Sequence, residues 1–464
     1  MPTDNTRFQI DIDLLKKYDK PGPRYTSYPT APQFNTQFGP NEYITAIKEN
    51  NIDNDTPLSL YFHIPFCDTL CYFCGCNMMV TKNRHLIDDY IELVKQEIAL
   101  IQPYLNSLRK VAQLHWGGGS PSYLQPYQMR TLFEDILNNF EFAMDAEIGV
   151  EFDPRGLTED QIRTLHELGF NRGSLGVQDF NPEVQKYVNR IQPEEMTRWT
   201  VDIMRQWGFR SINIDLIYGL PLQTADEFEK TIDIIIDINP ERIAVFNFAY
   251  VPWMKKHQRL IKHEDLPSPE EKLTILKMVI EKLTGAGYIY IGMDHFAHPD
   301  DELAIAQREK TLYRNFQGYS TKAGCDLYAF GITSISMLPL AYAQNVKTIR
   351  EYRERMNHKQ PAVFRGYRLT DDDVLRRYVI TRLMCDFELE KMMVEDKFNI
   401  QFDEYFKDAL EQLKTFENDG LVILKPSSIA VTPIGRFVIR NIAMCFDAYL
   451  SAETEKATVF SRTV

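Results

Sequence analysis

Short apolar runs and longer amphipathic segments alternate through the first half of the chain. In the longer segments, apolar residues recur every three or four positions, the spacing of a helix with one buried face. Strands that alternate with helices of this length predict parallel βαβ units. The predicted strands are 58–64, 111–115, 147–152, 173–178, 211–217 and 242–248, and the predicted helices are 85–100, 127–139, 159–168, 193–207 and 225–238.

A chemically unusual stretch follows the carboxyl end of every predicted strand. Barrels assemble their sites from several strand ends, whereas doubly wound sheets concentrate theirs at one switch point. We therefore predict an α/β fold with a partial (β/α)6-type TIM-like barrel. The stretches are a cysteine loop at 67–76, GGGS at 117–120, EFDPR at 151–155, QDF at 178–180, DLIYGLP at 215–221 and NFAYVP at 247–252.

The two flanks of this pattern differ from it. Residues 1–55 are polar and irregular, and 21–30 (PGPRYTSYPT) is too rich in Pro and Gly for a helix or a central strand. Helical patterns and one hairpin-like run, 420–432, follow residue 366. We predict an N-terminal extension or lid over 1–55, the barrel over 56–345, and a small, mainly helical, winged-helix-like domain over 366–464.

Composition narrows the function classes. The 464 residues carry a net charge of −13 without a basic run, which argues against nucleic acid as the main partner. No apolar stretch approaches the ~18 residues of a membrane span, and the first nine residues lack the layout of a signal peptide. The seven cysteines then lie in a reducing compartment. We expect a cytoplasmic protein.

Four of the seven cysteines fall within 67–76. Three of them, Cys67, Cys71 and Cys74, have the spacing Cys-x3-Cys-x2-Cys, which can hold three irons of a [4Fe–4S] cluster and leave one iron open. Cys76 stands too near Cys74 to complete the fourth position. A zinc site is the alternative, but it usually needs ligand pairs about a dozen residues apart, and the other cysteines are isolated.

This loop carries a resemblance to a known family. The motif after a first strand, with Phe73 before the third cysteine, resembles the radical S-adenosylmethionine superfamily. The longer string YFHIPFC…LCYFCGCN, with its additional Cys76, is similar to the oxygen-independent coproporphyrinogen III oxidases within that superfamily. The resemblance extends over nearly the whole chain, through PGPRYTSYPT, LHWGGGSPSYL, VEFDPR, GVQDF, NIDLIYGLP and NIAMCFDAYL.

The resemblance implies a [4Fe–4S] cluster and S-adenosylmethionine as cofactors. The cofactor radical then carries the chemistry, and we assign no catalytic side chain. Taken alone, the glycine stretch fits a tight turn, and the carboxylates fit helix caps or partners of Arg155 or Arg172. The implied cluster ligands are Cys67, Cys71 and Cys74, and the implied S-adenosylmethionine contacts are Tyr61, Phe73, Gly118, Gly119, Ser120, Glu151, Gln178, Arg190, Asp215, Ala249 and Ile335.

The resemblance also implies a reaction. Two propionates of coproporphyrinogen III become vinyl groups, giving protoporphyrinogen IX without O2 in heme biosynthesis. The enzyme is expected to be a monomer that uses a low-potential electron donor and an electron acceptor. Because a chain of net charge −13 must gather arginines locally to bind a tetracarboxylate, Arg24, Tyr25 and Tyr28 are candidate substrate contacts. Their alternative role is packing on the barrel.

Two other functions fit the same loop. One is a radical enzyme acting on another tetrapyrrole, and the other is a heme-binding chaperone of the same fold. The presence of Cys76 and of the 21–30 segment weighs against both.

Overall fold

The computed structural model describes residues 11–52, 54–450 and 462–463. Its strands are β1 (Leu58–Ile64), β2 (Phe66–Cys67), β3 (Met79–Val80), β4 (Val111–Gly118), β5 (Phe142–Phe152), β6 (Arg172–Gln178), β7 (Ser211–Tyr218), β8 (Arg242–Asn247), β9 (Ile289–Gly292), β10 (His295–Ala297), β11 (Tyr313–Asn315), β12 (Gly318–Ser320), β13 (Asp326–Phe330), β14 (Ile335–Leu338), β15 (Ala341–Asn345), β16 (Val363–Arg368), β17 (Glu388–Glu390), β18 (Val422–Leu424) and β19 (Ser428–Val431).

The helices are α1 (Ile12–Tyr18), α2 (Pro40–Asn50), α3 (Arg84–Ile101), α4 (Pro126–Asn139), α5 (Glu159–Glu167), α6 (Pro182–Tyr187), α7 (Glu194–Trp207), α8 (Ala225–Ile238), α9 (Pro269–Gly285), α10 (Glu302–Arg308), α11 (Ile349–Asn357), α12 (Asp371–Asp386), α13 (Lys391–Phe398), α14 (Phe402–Tyr405), α15 (Lys407–Asn418) and α16 (Ile439–Met444).

The main sheet has twelve strands in the order β16-β15-β14-β13-β1-β4-β5-β6-β7-β8-β10-β9. From β13 to β8 every neighbouring pair is parallel, and the connections run through helices. This is the α/β architecture that the alternating pattern predicts. The six predicted strands and five predicted helices all form, with ends that differ from the prediction by a few residues.

The sequence pattern did not predict six strands of this sheet, β9, β10 and β13 to β16. β13 lies parallel to β1, with Leu60 opposite Tyr328, and β14 to β16 continue antiparallel from it. These strands are short, so they lack a periodicity that stands out from the surrounding loops. The expected domain boundary at 366 falls inside β16, which belongs to the main sheet.

Each parallel strand packs one face against the helices and turns the other face toward the barrel interior. In β7, Ile212, Ile214 and Leu216 are fully buried on the face toward the helices. The alternate residues Asn213 and Asp215 point to the inside of the barrel and line a cavity there. The apolar face packs against the helices, while the polar face supplies side chains that line the interior cavity.

The N-terminal segment packs against the C-terminal region. Tyr25 Oη donates to Asp447 Oδ2 at 2.9 Å, and the Tyr28 hydroxyl accepts from the Ala448 amide at 2.9 Å. The C-terminal region combines α12 to α16 with a small sheet of order β17-β19-β18. The division into extension, barrel and C-terminal domain stays a prediction, and its outer parts at 1–10, 451–461 and 464 lie outside the described residues.

Candidate active site

The cysteine loop follows β1 and is held by a short parallel pairing of β2 with β3. Cys71 is buried at its centre, and two guanidinium groups point at the sulfur. Arg155 Nη2 lies 3.1 Å from Cys71 Sγ, and Arg190 Nη1 lies 3.5 Å from it. Hydrogen bonds to a thiolate stabilise its negative charge. The loop is therefore prepared for an anionic sulfur ligand.

The other cysteines of the loop differ in their environments. Burial raises the pKa of the Cys67 thiol to about 12, so binding a metal there displaces a proton. A hydrogen bond from Cys76 lowers the pKa of Cys74 to about 6. Cys76 is the most exposed of the four. The sequence did not assign a role to Cys76. In the structure Cys76 forms a hydrogen bond with Cys74.

The loop fits a cluster rather than a single ion. Within the described residues, no three His, Cys, Asp or Glu side chains converge as ligands of one metal ion. A cubane binds each thiolate through a different iron, so its ligands need not meet at one point. The three thiols on one loop, with two arginines on the buried sulfur, meet the requirement of a cluster.

The glycine stretch after β4 approaches the cysteine loop closely. Gly118 has φ +123°, and a Cβ there would lie 2.8 Å from the His63 ring. A Cβ on Gly119 would lie 2.7 Å from the Pro65 carbonyl carbon. Neither position accepts a side chain without displacement. Ser120 is buried, and its hydroxyl lies 3.0 Å from that of Ser122.

Glu151 and Asp215 are two carboxylates that line the interior of the barrel. Glu151 accepts from the Gly118 amide at 3.0 Å and lies 3.4 Å from His115 Nε2. Burial raises its pKa, but the His115 and Gly118 contacts outweigh burial and leave the pKa below its ordinary value. Asp215 accepts from Ser174 and Asn213, and burial raises its pKa to about 6.

Tyr61 and Gln178 are two further expected contact residues, and each has a distinct environment. The Tyr61 ring stacks on His115 with an interplanar angle of 9°, and its hydroxyl donates to His63 Nδ1 at 3.2 Å. His63 Nε2 donates to the Asn77 carbonyl, and burial lowers the pKa of His63. Gln178 has φ +73°, and its buried Oε1 has no hydrogen-bond partner within the described residues. That orphaned acceptor suits an incoming donor.

Two adjoining cavities occupy the barrel interior, and His115, Glu151 and Gln317 line both. The upper cavity, about 270 Å³, is lined by Tyr61, His63, His115, Glu151, Phe316, Gln317, Leu327, Thr333, Ser334 and Ile335. The lower cavity, about 300 Å³, is lined by Gln113, His115, Glu147, Gly149, Val150, Glu151, Arg172, Gly173, Ser174, Ser211, Asn213, Asp215, Arg242, Phe246, His295, Phe296, Leu303, Gln317, Tyr319 and Ser320.

The structure does not gather every expected contact residue at these cavities. Arg190 forms an ion pair with Asp153 at 3.2 Å. Phe73 packs with apolar residues outside the cavities, and Ala249 is exposed. The carbonyls of Phe73 and Ala249 both accept from Gln258, whose side chain is fully buried. Gln258 lies in the polar run KKHQR at 255–259, which looks solvated in the sequence, so the pattern does not predict this buried anchor.

The three expected substrate contacts also separate. Tyr25 and Tyr28 are 5% and 1% exposed and bond to the C-terminal segment, and neither lines the cavities. The Arg24 guanidinium pairs with Asp294 and lies 5.9 Å from the ring centroid of Phe246, which lines the lower cavity. The packing alternative thus describes the two tyrosines, whereas Arg24 is close to the interior.

Arg314 and Arg242, which the sequence analysis did not identify, lie with Arg24 near His295 at the lower cavity. Burial and the charges of Arg314, Arg24 and Arg242 lower the pKa of His295 to about 3. Arg314 is 4% exposed, stacks on Tyr319 at 4.6 Å, and forms no ion pair within the described residues. Its Nη1 has no hydrogen-bond partner there either. Arg172, Arg242 and Arg24, by contrast, pair with Glu147, Asp301 and Asp294, so Arg314 is the cation near this cavity that lacks an ion pair within the described residues.

Comparisons with known proteins agree with this geometry. Residues 61–235 match the model of the Radical SAM superfamily, and residues 369–438 match the HemN C-terminal domain. The chain is 48% identical to the oxygen-independent coproporphyrinogen III oxidase of Synechocystis, with 100% of both chains covered. It is also 48% identical to the Escherichia coli protein of that name, with 98% of this chain and 99% of the relative covered.

The chain belongs to the oxygen-independent coproporphyrinogen III oxidase family. A solved structure of the Escherichia coli coproporphyrinogen III oxidase, described as a radical SAM enzyme, superimposes with a TM-score of 0.91 at 47% identity and covers 96% of this chain and 100% of that one. These findings confirm the predicted family, fold class and enzyme class. As a member of the family, the protein is a radical SAM oxidoreductase that uses a [4Fe–4S] cluster and S-adenosylmethionine.

The comparisons leave the residue assignments as predictions. The cysteines of the loop fit a cluster on the geometry described above, and the contacts of S-adenosylmethionine are argued below. None of the helices in the described part of the chain combines the length and apolar character that crossing a membrane requires.

Proposed function

We propose that this protein converts coproporphyrinogen III to protoporphyrinogen IX by oxidative decarboxylation of two propionates. The names of relatives that align over the whole chain support this substrate. The cluster and S-adenosylmethionine together supply a 5′-deoxyadenosyl radical able to abstract a hydrogen atom. The protein's own residues bind the two ligands, orient them and keep water out. A cytoplasmic location and a monomeric state stay predictions.

Cys67, Cys71 and Cys74 hold the cluster in this proposal. Arg155 and Arg190 neutralise the charge on the buried Cys71 sulfur, while Asp153 fixes both guanidinium groups by ion pairs. This places Arg190 beside the cluster as well as near the cofactor. We therefore assign it first to the sulfur and second to a carboxylate contact.

The upper end of the barrel holds S-adenosylmethionine. Gly118 and Gly119 pack against the cysteine loop, where a Cβ would meet His63 or Pro65, and in this proposal their backbone contacts the amino-acid end of the ligand. Glu151, which lines both cavities, presents a carboxylate to its ammonium and hydroxyl groups, and Asp215 reaches the same ligand from the adjoining lower cavity. Gln178 Oε1 is a further buried acceptor, although Gln178 lines neither cavity. Tyr61, flat against His115, supplies a ring face. Ile335 adds an apolar wall.

The substrate occupies the lower cavity. The observation that carries this assignment is Arg314, which stacks on the cavity-lining residue Tyr319 and is a buried cation without an ion pair or a partner for Nη1 in the described residues. Burying an uncompensated charge is strongly unfavourable unless an anion completes it. Arg172 Nη1 and Arg242 Nη2 also lack partners there, and both side chains line the cavity. Such donors match carboxylates in geometry and charge.

Arg24 belongs to the same group of arginines. Burial, together with the charges of Arg440 and Arg314, lowers its pKa to about 9. The backbone carbonyl of Arg24 accepts from Arg314 Nε at 3.2 Å, so the two arginines hold one another in place. Tyr25 and Tyr28 anchor this segment and act as positioning residues in the proposal, without contact to the substrate.

An anaerobic turnover assay tests the proposal. The reconstituted protein receives S-adenosylmethionine, dithionite, an electron acceptor and coproporphyrinogen III, and mass spectrometry follows the products. We expect protoporphyrinogen IX and 5′-deoxyadenosine together. 5′-Deoxyadenosine without a vinyl product would reject the substrate. Stable heme binding with neither product would favour the chaperone alternative.

A further inference from the structure

Residues 251–262 cross the outer side of the cysteine loop and bond directly to it. Three side chains donate to three carbonyls of the loop. Lys255 Nζ lies 2.8 Å from the Cys76 oxygen, and His257 Nε2 lies 2.7 Å from the Cys74 oxygen. Gln258 Nε2 donates to the Phe73 carbonyl at 2.9 Å. Residues 251–262 therefore connect the protein surface to the loop that carries the proposed cluster ligands.

The inner side of the segment is firmly anchored. Gln258 is fully buried, and its Oε1 accepts from the Val251 amide at 2.6 Å. Ile261 is 1% exposed and belongs to an apolar cluster with Leu220 and Phe248. The segment is thus a fixed part of the fold, which gives its outer side a defined shape.

The outer side is apolar and exposed. Trp253, Met254 and Leu260 are 56%, 70% and 58% exposed. Large apolar side chains that stay in water next to one another mark interaction surfaces, and tryptophan is prominent among the residues that carry binding energy at interfaces.

The same stretch concentrates positive charge. Lys255, Lys256, Arg259 and Lys262 lie in 251–262, which contains no acidic residue. None of the four forms an ion pair within the part of the chain that the structure describes. The net charge of the chain is −13. Most of its surface therefore repels an acidic partner, whereas these four cations attract one. Such a pattern orients a partner during encounter.

We propose that this patch, defined as Trp253, Met254, Lys256, Arg259, Leu260 and Lys262, is the docking surface for an acidic protein that donates single electrons. The proposal rests on the proposed function, which requires a reduced cluster. The transfer moves one electron and no atoms: the redox group of the donor is oxidised by one electron, and the cluster is reduced by one. Docking here places the donor against the backbone that bonds to the cluster loop.

Binding measurements test the patch separately from turnover. An oxidised acidic flavodoxin is titrated into the cluster-loaded protein by calorimetry at low and at high salt. The test variants are K256E/R259E and W253A. The matched control is K407E/K425E, which makes the same change in net charge on exposed lysines of the C-terminal region. Cluster absorbance and dithionite-driven formation of 5′-deoxyadenosine are recorded for every variant.

We expect salt-sensitive binding that weakens at least tenfold in K256E/R259E and several-fold in W253A. The control should bind as the unaltered protein does, and dithionite should support equal 5′-deoxyadenosine formation throughout. Absence of flavodoxin binding, or equal weakening in the control, would overturn the proposal. Binding of the patch to phosphatidylglycerol vesicles instead of flavodoxin would also overturn it. Failure of the proposed function would appear separately, as absence of vinyl product with dithionite.

Discussion

The cofactor end and the substrate end of the barrel interior are built from different kinds of residue. The cofactor end is organised around short local motifs, the cysteine loop and Gly118–Gly119, to which single residues at strand ends are added. The substrate end uses side chains from distant parts of the chain, among them Arg24, Arg242 and Arg314. The difference shows that one end is fixed by local motifs and the other by the assembled fold. The two ends should therefore respond differently to substitution.

Removing a cluster ligand should have the largest effect. C71S is expected to abolish the cluster absorbance, because it removes a thiolate from a site with only three. Both 5′-deoxyadenosine and vinyl product then disappear. C325S is the control, since Cys325 lies outside the loop, and it should keep the full absorbance. C76S should also keep the cluster, and its loss in that variant would mean that Cys76 is a ligand.

Adding one methyl group at the cofactor end should weaken S-adenosylmethionine binding at least tenfold. In G118A the new Cβ meets the His63 ring at 2.8 Å on a backbone of φ +123°. G156A is the matched control, because Gly156 also has positive φ but has nothing within 4 Å of its Cβ position. Equilibrium binding of S-adenosylmethionine checks both variants. Equal weakening would mean that backbone strain alone, about 1–2 kcal/mol, explains the effect.

The first two predictions concern the cofactor end, whose motifs can be recognised in the sequence. Cysteine spacing and the glycine stretch are local, so they could be identified without the fold, and the strand ends at Glu151 and Asp215 followed from the alternating pattern. Arg314 was not identified because an arginine in an irregular stretch looks solvated until the fold buries it. Gln258 and His295 were hidden for the same reason. Aromatic residues beside Arg24 suggest a binding site as readily as packing, so the sequence alone left both roles open for Tyr25 and Tyr28.

A substitution at the substrate end should separate the two ends. In R314Q, loss of a charge-assisted contact worth about 1.5–3 kcal/mol should raise the KM for coproporphyrinogen III roughly tenfold or more. The affinity for S-adenosylmethionine should stay within about twofold. R314K should recover part of the loss because it keeps the charge and loses the planar fork. A rise in both constants would assign Arg314 to general packing.

The smallest effect expected is a pH dependence at the boundary of the two ends. Burial raises the pKa of Asp215 to about 6, so the carboxylate is fully charged above that pH and becomes protonated as the pH falls through it. S-adenosylmethionine affinity should fall about twofold at pH 6 and about tenfold at pH 5. D215N should bind more weakly at pH 8 and show a flat profile. An unchanged slope in D215N would assign the titration to another group.

The most direct test of separate cofactor and substrate ends is the pair of equilibrium affinities in R314Q. Binding of S-adenosylmethionine and of coproporphyrinogen III to the cluster-loaded protein is measured under anaerobic conditions without reductant, so that no turnover occurs. We predict that R314Q weakens coproporphyrinogen III binding roughly tenfold or more and leaves the affinity for S-adenosylmethionine within about twofold. Equal weakening of both ligands, or an unchanged affinity for coproporphyrinogen III, would contradict the account.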